Sequence, residues 1–168
     1  MENLALVTGG AKSGKSRFAE GLVRAMGAQP IYIATAEALD EEMSHRIAAH
    51  LLQRGPGWHT VEEPLDLCGA LQRTDGRGPR LVDCLTLWLS NLMMQDLDID
   101  AALADLSQTL KAQTSPVVMV TNEVGSGIVP DNALARAYRD SCGAMNQRIG
   151  AVVDRIDLVV CGHPLRVK

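Results

Sequence analysis

Eight consecutive residues, Gly9-Gly10-Ala11-Lys12-Ser13-Gly14-Lys15-Ser16, have the types and spacing of G-x-x-x-x-G-K-[ST]. Glycines let a backbone wrap a phosphate so that successive N–H groups point inward. A helix opening directly after such a loop adds its N-terminal donors and the positive end of its dipole. Lys15 then supplies a mobile cation for β- and γ-phosphates, and the Ser16 hydroxyl a ligand for Mg²⁺. A chance match in a chain this long is expected on the order of once in a hundred such chains. The chemistry also requires an acidic residue at the end of another strand to hold the metal. Asp83, closing the run Leu81-Val82-Asp83, is the best candidate; capping the helix that follows is the lesser reading, and the two roles can coexist.

These residues need a scaffold, and the hydrophobic pattern describes one. Short apolar runs at Leu4–Thr8, Pro30–Ala34, Trp58–Val61, Arg80–Asp83, Pro116–Thr121 and Asp157–Cys161 read as strands, with Pro164–Lys168 as a further edge strand. Helical patterns fill the intervals: Ser16–Met26, Asp40–Arg54, Leu65–Arg73, Leu85–Gln95, Ile99–Gln113 and Asn132–Asp154. On the last of these, Leu134, Ala137, Met145, Ile149 and Val152 form a stripe expected to face the core. Strands alternating with helices predict an α/β domain with a mostly parallel sheet covered on both faces. The glycine-rich loop follows the first strand and opens the first helix, the context a phosphate-binding loop needs.

At 168 residues, the chain is expected to form one domain, 1–168. Hydrophobic residues reach 46% with aromatics at only 3%, a small-aliphatic bias suited to helices packed on a sheet. The formal charge of -4 argues against a large basic surface for nucleic acid. No apolar run approaches the ~20 residues of a membrane span. Met1-Glu2-Asn3 leads straight into a strand-like run, so a cytoplasmic location is expected. The scattered Cys68, Cys84, Cys142 and Cys161 form no C-x-x-C pair and are expected as reduced thiols.

Further stretches carry a resemblance across nearly the whole chain. They are Thr8 to Arg17, Tyr32-Ile33-Ala34-Thr35-Ala36, Asp40-Glu41-Glu42-Met43 with Arg46, Ile47 and His50, and Trp58 to Glu62. Val82 to Thr86 with Trp88, Leu89, Asn91 and Leu92, then Thr121-Asn122-Glu123-Val124-Gly125, Gly127 to Pro130, Arg136, Tyr138 to Asp140, and Asn146-Gln147 extend it. Together they resemble the bifunctional adenosylcobinamide kinase / adenosylcobinamide-phosphate guanylyltransferase of cobalamin biosynthesis. The resemblance implies a RecA-like P-loop NTPase fold with one antiparallel edge strand, and a homotrimer. It implies ATP or GTP as phosphoryl donor to adenosylcobinamide, then transfer of GMP from GTP through a histidine to the phosphorylated substrate.

The same resemblance assigns residues. His50 would carry the GMP; an imidazole is an effective nucleophile near neutral pH, and a P–N bond is reactive enough to pass the group on. Arg46 and Arg54, one turn to either side, would meet phosphate oxygens. Ala34, Thr35 and Ala36 would contact the nucleotide, and Leu51, Leu52, Gln53 and Arg54 would line the guanine or its ribose. Glu62 would accept hydrogen bonds from guanine, whose N1–H and N2–H₂ are donors, although a solvated turn residue is an equal reading. Glu123 could orient a reacting group or fix its own loop, and Arg136, Arg139 and Asn146 could face the corrinoid or a neighbouring subunit. His45, His59 and His163 receive no role. A plain P-loop kinase of another hydroxylated metabolite would keep Lys15, Ser16 and Asp83 without needing His50. A guanine-nucleotide switch is disfavoured because Asn122-Glu123-Val124-Gly125 is not an N-K-x-D stretch.

Overall fold

A computed structural model describes residues 2–38 and 40–168, and of Glu42, Arg46 and Gln53 only the backbone. The chain runs β1 (Leu4–Thr8), α1 (Lys15–Met26), β2 (Ile31–Ala34), α2 (Glu41–Arg54), β3 (His59–Glu62), α3 (Leu67–Thr74), β4 (Arg80–Asp83), α4 (Leu85–Met94), α5 (Ile99–Lys111), β5 (Val117–Val120), α6 (Ala133–Val152), β6 (Arg155–Val160) and β7 (His163–Arg166). The seven strands form one sheet in the order β3-β2-β4-β5-β1-β6-β7. β7 pairs antiparallel with β6 and the other pairings are parallel. The expected α/β architecture with one antiparallel edge strand is therefore present.

Alternation along the strands divides the core between the two faces. Leu4, Leu6, Ile31, Ile33, Val82, Val117 and Met119 pack with α3, α4, α5 and α6. Their sequence neighbours Ala5, Val7, Tyr32, Leu81, Val118 and Val120 pack with α1 on the other side. Because both faces are covered, the strands read as continuous apolar runs, and Val117 to Val120 are all buried.

Two helices, α2 and α6, start one residue later than the patterning suggests because an acidic or amide residue caps them. Asp40 accepts from the Met43 N–H at 2.7 Å and Asn132 from the Ala135 N–H at 2.7 Å. The α6 stripe needs correction. Cys142, Met145 and Ile149 are buried, but Leu134 is 72% exposed and Ala137 is also exposed. The first turns of α6 extend past the packed face, so the apolar period continues where no core is available to meet it.

At the amino edge of the sheet, the buried Arg80 guanidinium donates to the carbonyls of Leu71 and Ser115 and to Gln113 Oε1, and pairs with Asp75 at 3.1 Å. Partial burial pushes the Asp75 carboxyl up. Hydrogen bonds from the Ser115 and Thr114 N–H groups and the Thr114 hydroxyl, with the charge of Arg80, outweigh it and hold the group at about 2. The pairing favours the folded state above about pH 4 and loses that contribution as pH falls towards about 2. Asp75→Asn is expected to cost about 2 kcal/mol at pH 7, since it leaves a buried cation short of its counter-charge. Urea titrations of both proteins should show that difference roughly halved near pH 3.

Candidate active site

The phosphate-binding loop lies between β1 and α1. Gly9 closes β1 at φ 156°, where an added Cβ would stand 2.5 Å from the Val159 carbonyl oxygen and 2.7 Å from Ser13 Oγ. Gly14, at φ 96°, caps α1 in the left-handed region that glycine adopts without strain. Lys15 opens the helix, is largely buried, and places Nζ 3.0 Å from the Gly10 carbonyl. Ser16 sits half-buried in the first turn, and Ala11 and Lys12 are exposed at the loop's tip. Ser13 Oγ is buried without a hydrogen-bond partner among the described residues. Such an atom inside a phosphate cradle is suited to a ligand oxygen.

Two backbone contacts brace the loop. Glu123 N donates to the Gly9 carbonyl at 3.0 Å, and Gly162 N donates to the Ser13 carbonyl at 2.8 Å. Cys161 and Gly162 form the two-residue turn between β6 and β7, with φ values of 52° and 81°. Positive φ at both central positions is the mark of a tight turn matched to strand twist. This leaves Gly162 Cα 3.2 Å from where a Gly14 Cβ would stand.

On the same carboxyl edge of the sheet lies a cavity of about 530 Å³. The ends of β2, β3 and β4 contribute Ala34 and Ala36, Glu62, and Asp83 to its wall, while α2 contributes Met43, Ile47, His50, Leu51 and Arg54. The α2 residues recur at intervals of three and four, one face of a helix. The carboxyl edge is where α/β sheets bind ligands, since loops diverge there. Tyr32 also lines the cavity; its hydroxyl donates to Asp83 Oδ2 at 3.0 Å, and burial pushes its phenol far up, so the proton stays on oxygen. The Arg54 guanidinium is buried, lies 3.7 Å over the Tyr32 ring, and donates from Nη2 to Thr60 Oγ1 at 3.0 Å. Glu20 of α1 is buried nearby; burial, then the Asp83 charge, raises its carboxyl.

The remaining expected positions divide. Thr35 does not line the cavity: its hydroxyl donates to the Cys84 carbonyl at 2.7 Å and accepts from Cys84 N at 2.8 Å, fastening β2 to the chain just after Asp83. Leu52 is 84% exposed and absent from the wall. The side chains of Gln53 and Arg46 lie outside the described residues. The Glu123 carboxylate accepts from Gly125 N and Ser126 N, which fixes its own loop, and hydrogen bonding, led by the Ser126 side chain, holds it below the usual range. Arg136 donates to the carbonyls of Pro130 and Asp131, and Asn146 bonds with Thr121 and the Asn122 carbonyl. His45, His59 and His163 are exposed, and none borders the cavity. Tyr32, named above only within a matching stretch, and Arg24, which donates to the Arg54 carbonyl at 2.8 Å, receive no role from the sequence. Their partners depend on strand order and helix packing.

The loop, the sheet order and the carboxyl-edge cavity together define a P-loop nucleotide-binding protein of RecA-like architecture. Solved structures agree on that fold. The P4 protein from bacteriophage phi6 in complex with ADP superposes with a TM-score of 0.51 at 15% identity, covering 97% of this chain and 52% of that one. An ATPase from a bacterial type III secretion system gives 0.56 at 10% identity, covering 93% and 50%. The chain belongs to the cobinamide kinase / cobinamide phosphate guanyltransferase family, whose model matches residues 5–167. The bifunctional adenosylcobalamin biosynthesis protein CobP of Pseudomonas aeruginosa is 42% identical over 167 residues, covering 97% of this chain and 96% of that protein. Its counterpart CobU in Salmonella typhimurium is 42% identical over 182 residues, covering 97% and 98%.

Proposed function

We propose that this chain performs two consecutive reactions at the carboxyl edge of one sheet, within a single domain. In the first, a hydroxyl of adenosylcobinamide attacks the γ-phosphorus of ATP or GTP held by Gly9 to Ser16. The nucleoside diphosphate leaves, the hydroxyl loses its proton, and the substrate becomes a phosphate ester. In the second, a ring nitrogen of His50 attacks the α-phosphorus of GTP and pyrophosphate leaves, so GMP is joined to the imidazole. A phosphate oxygen of the substrate then attacks that phosphorus, the imidazole departs, and adenosyl-GDP-cobinamide results. Covalent catalysis of this kind divides one difficult displacement into two easier ones.

The observation that carries the proposal is that His50 shares one cavity with Arg54, Glu62 and Asp83. Arg54 brings a buried cation towards phosphate, and Glu62 an acceptor for the guanine edge. Lys15 meets the β- and γ-phosphates. Ser16 and Asp83 suit Mg²⁺, which binds through one or two protein oxygens together with substrate phosphates; bound there, it would neutralise charge on the phosphate oxygens. No described helix is long and apolar enough to cross a membrane. The proposal further takes the enzyme to be homotrimeric, on the family resemblance, and cytoplasmic, with small molecules rather than nucleic acid as ligands.

A coupled assay with adenosylcobinamide, Mg²⁺ and GTP tests it. Adenosylcobinamide phosphate should appear first and adenosyl-GDP-cobinamide second, with one pyrophosphate released per GDP product. Accumulation of the phosphate ester alone would reduce the chain to a kinase.

A further inference from the structure

We infer that Tyr32 is a positioning residue that joins the two halves of the site, its hydroxyl fixing the Asp83 carboxylate and its ring seating the Arg54 guanidinium. The inference rests on the roles proposed above for Asp83 and Arg54. It begins from the sheet register. β2 lies between β3 and β4, and Tyr32 stands opposite Thr60 on one side and Leu81 on the other. Asp83 is two residues beyond Leu81, which makes it a diagonal neighbour on the same face, within reach of a long aromatic side chain. The phenol oxygen meets Asp83 Oδ2 at 3.0 Å. A carboxylate anchored through one oxygen presents the other in a defined direction, as supporting hydrogen bonds do for metal-binding carboxylates.

The ring of the same residue serves the second group. Arg54 Cζ lies 3.7 Å over the Tyr32 centroid, Trp58 meets that ring edge-on at 5.9 Å, and Thr60 takes one guanidinium donor. The Arg54 residue is only 7% exposed, and its Nε is buried without a hydrogen-bond partner among the described residues. A guanidinium held face-on in this way loses little further freedom when an anion arrives. A phenylalanine would fill the same space in the core, so the hydroxyl is the atom whose presence this arrangement explains.

Full-length Tyr32→Phe and Tyr32→Leu test the inference through GTP affinity measured calorimetrically with Mg²⁺ and with EDTA. Binding of Mn²⁺ to the GTP complex, followed by electron paramagnetic resonance, gives a readout independent of turnover. Tyr32→Phe should keep its EDTA affinity within about twofold, because the stacking face survives, yet bind Mn²⁺ about tenfold more weakly. Tyr32→Leu should show the same metal defect and also bind GTP about tenfold more weakly in EDTA, because Arg54 loses its platform. Mn²⁺ affinity of Tyr32→Phe within twofold of wild type overturns the inference. So does a loss in Tyr32→Phe that is equal with and without metal, the signature of a merely structural role. Wild-type protein whose GTP affinity ignores Mg²⁺ would instead overturn the metal role of Asp83, and the inference with it.

Discussion

His50→Ala is expected to abolish protein-bound GMP while leaving phosphorylation of adenosylcobinamide nearly intact. Incubated with GTP labelled at the α-phosphate, the wild-type chain should acquire an acid-labile, base-stable label, as a P–N bond requires. The variant should retain less than about a thousandth of that label, because no imidazole remains at that position to take the GMP. Adenosyl-GDP-cobinamide should vanish with it. The fold has no stake in this side chain: His50 is an exposed residue of α2, and substitutions at such positions usually shift stability by within about 0.5 kcal/mol. Lys15, Ser16 and Asp83 are untouched, so the rate of phosphate-ester formation should stay within about threefold. Survival of the label in His50→Ala would move the nucleophile elsewhere and dismantle the second half of the proposed cycle.

Lys15→Ala should remove both activities. Its ammonium is largely buried at the first residue of α1 and bonded to the Gly10 carbonyl, so it meets triphosphate already oriented. Preorganised charge of this kind stabilises phosphoryl-transfer transition states without reorganisation. A fall of about a thousandfold in kcat/KM for adenosylcobinamide phosphorylation is expected. GTP binding should weaken as well, because the triphosphate loses a cation and the loop loses an internal tie. Labelling of His50 should drop in parallel if one bound triphosphate geometry serves both reactions. A variant that still labels His50 at the wild-type rate would place the guanylyl donor outside the loop.

The two results together separate the chemistries that share this edge of the sheet. They also bear on how much of the site was legible beforehand. The strands were, because parallel strands covered on both faces need uninterrupted apolar runs; Leu4 to Thr8 and Arg80 to Asp83 begin and end where the pattern does. The glycine-rich loop was, because its chemistry is local and its residues are consecutive. His50, Glu62 and Asp83 were each named from the sequence singly, and that they line one cavity from three separate elements was not legible there. The exposed start of α6 was not legible, since periodicity records which face is apolar and not where the neighbouring face ends. Nor was the engagement of Thr35 with Cys84, or of Tyr32 with Asp83 and Arg54. Both depend on which strands lie side by side, a property absent from local pattern. The Met43, Ile47, His50, Leu51 and Arg54 spacing was available all along and would have marked the cavity wall of α2.

The hairpin at the end of the chain bears on the other end of the mechanism. β7 is exposed along its whole length and contributes nothing to the cavity wall, yet the turn leading into it lies close against Gly14 and holds the Ser13 carbonyl. It works as a buttress. A side chain at Gly162 would meet open space, but its φ of 81° is strained for any other residue, and a turn that shifts to relieve that strain would pull on the Ser13 carbonyl, so lesions in this outlying ribbon should register as poorer handling of triphosphate. The last strand, which looks like trim on the sheet, is part of the jig that shapes the loop.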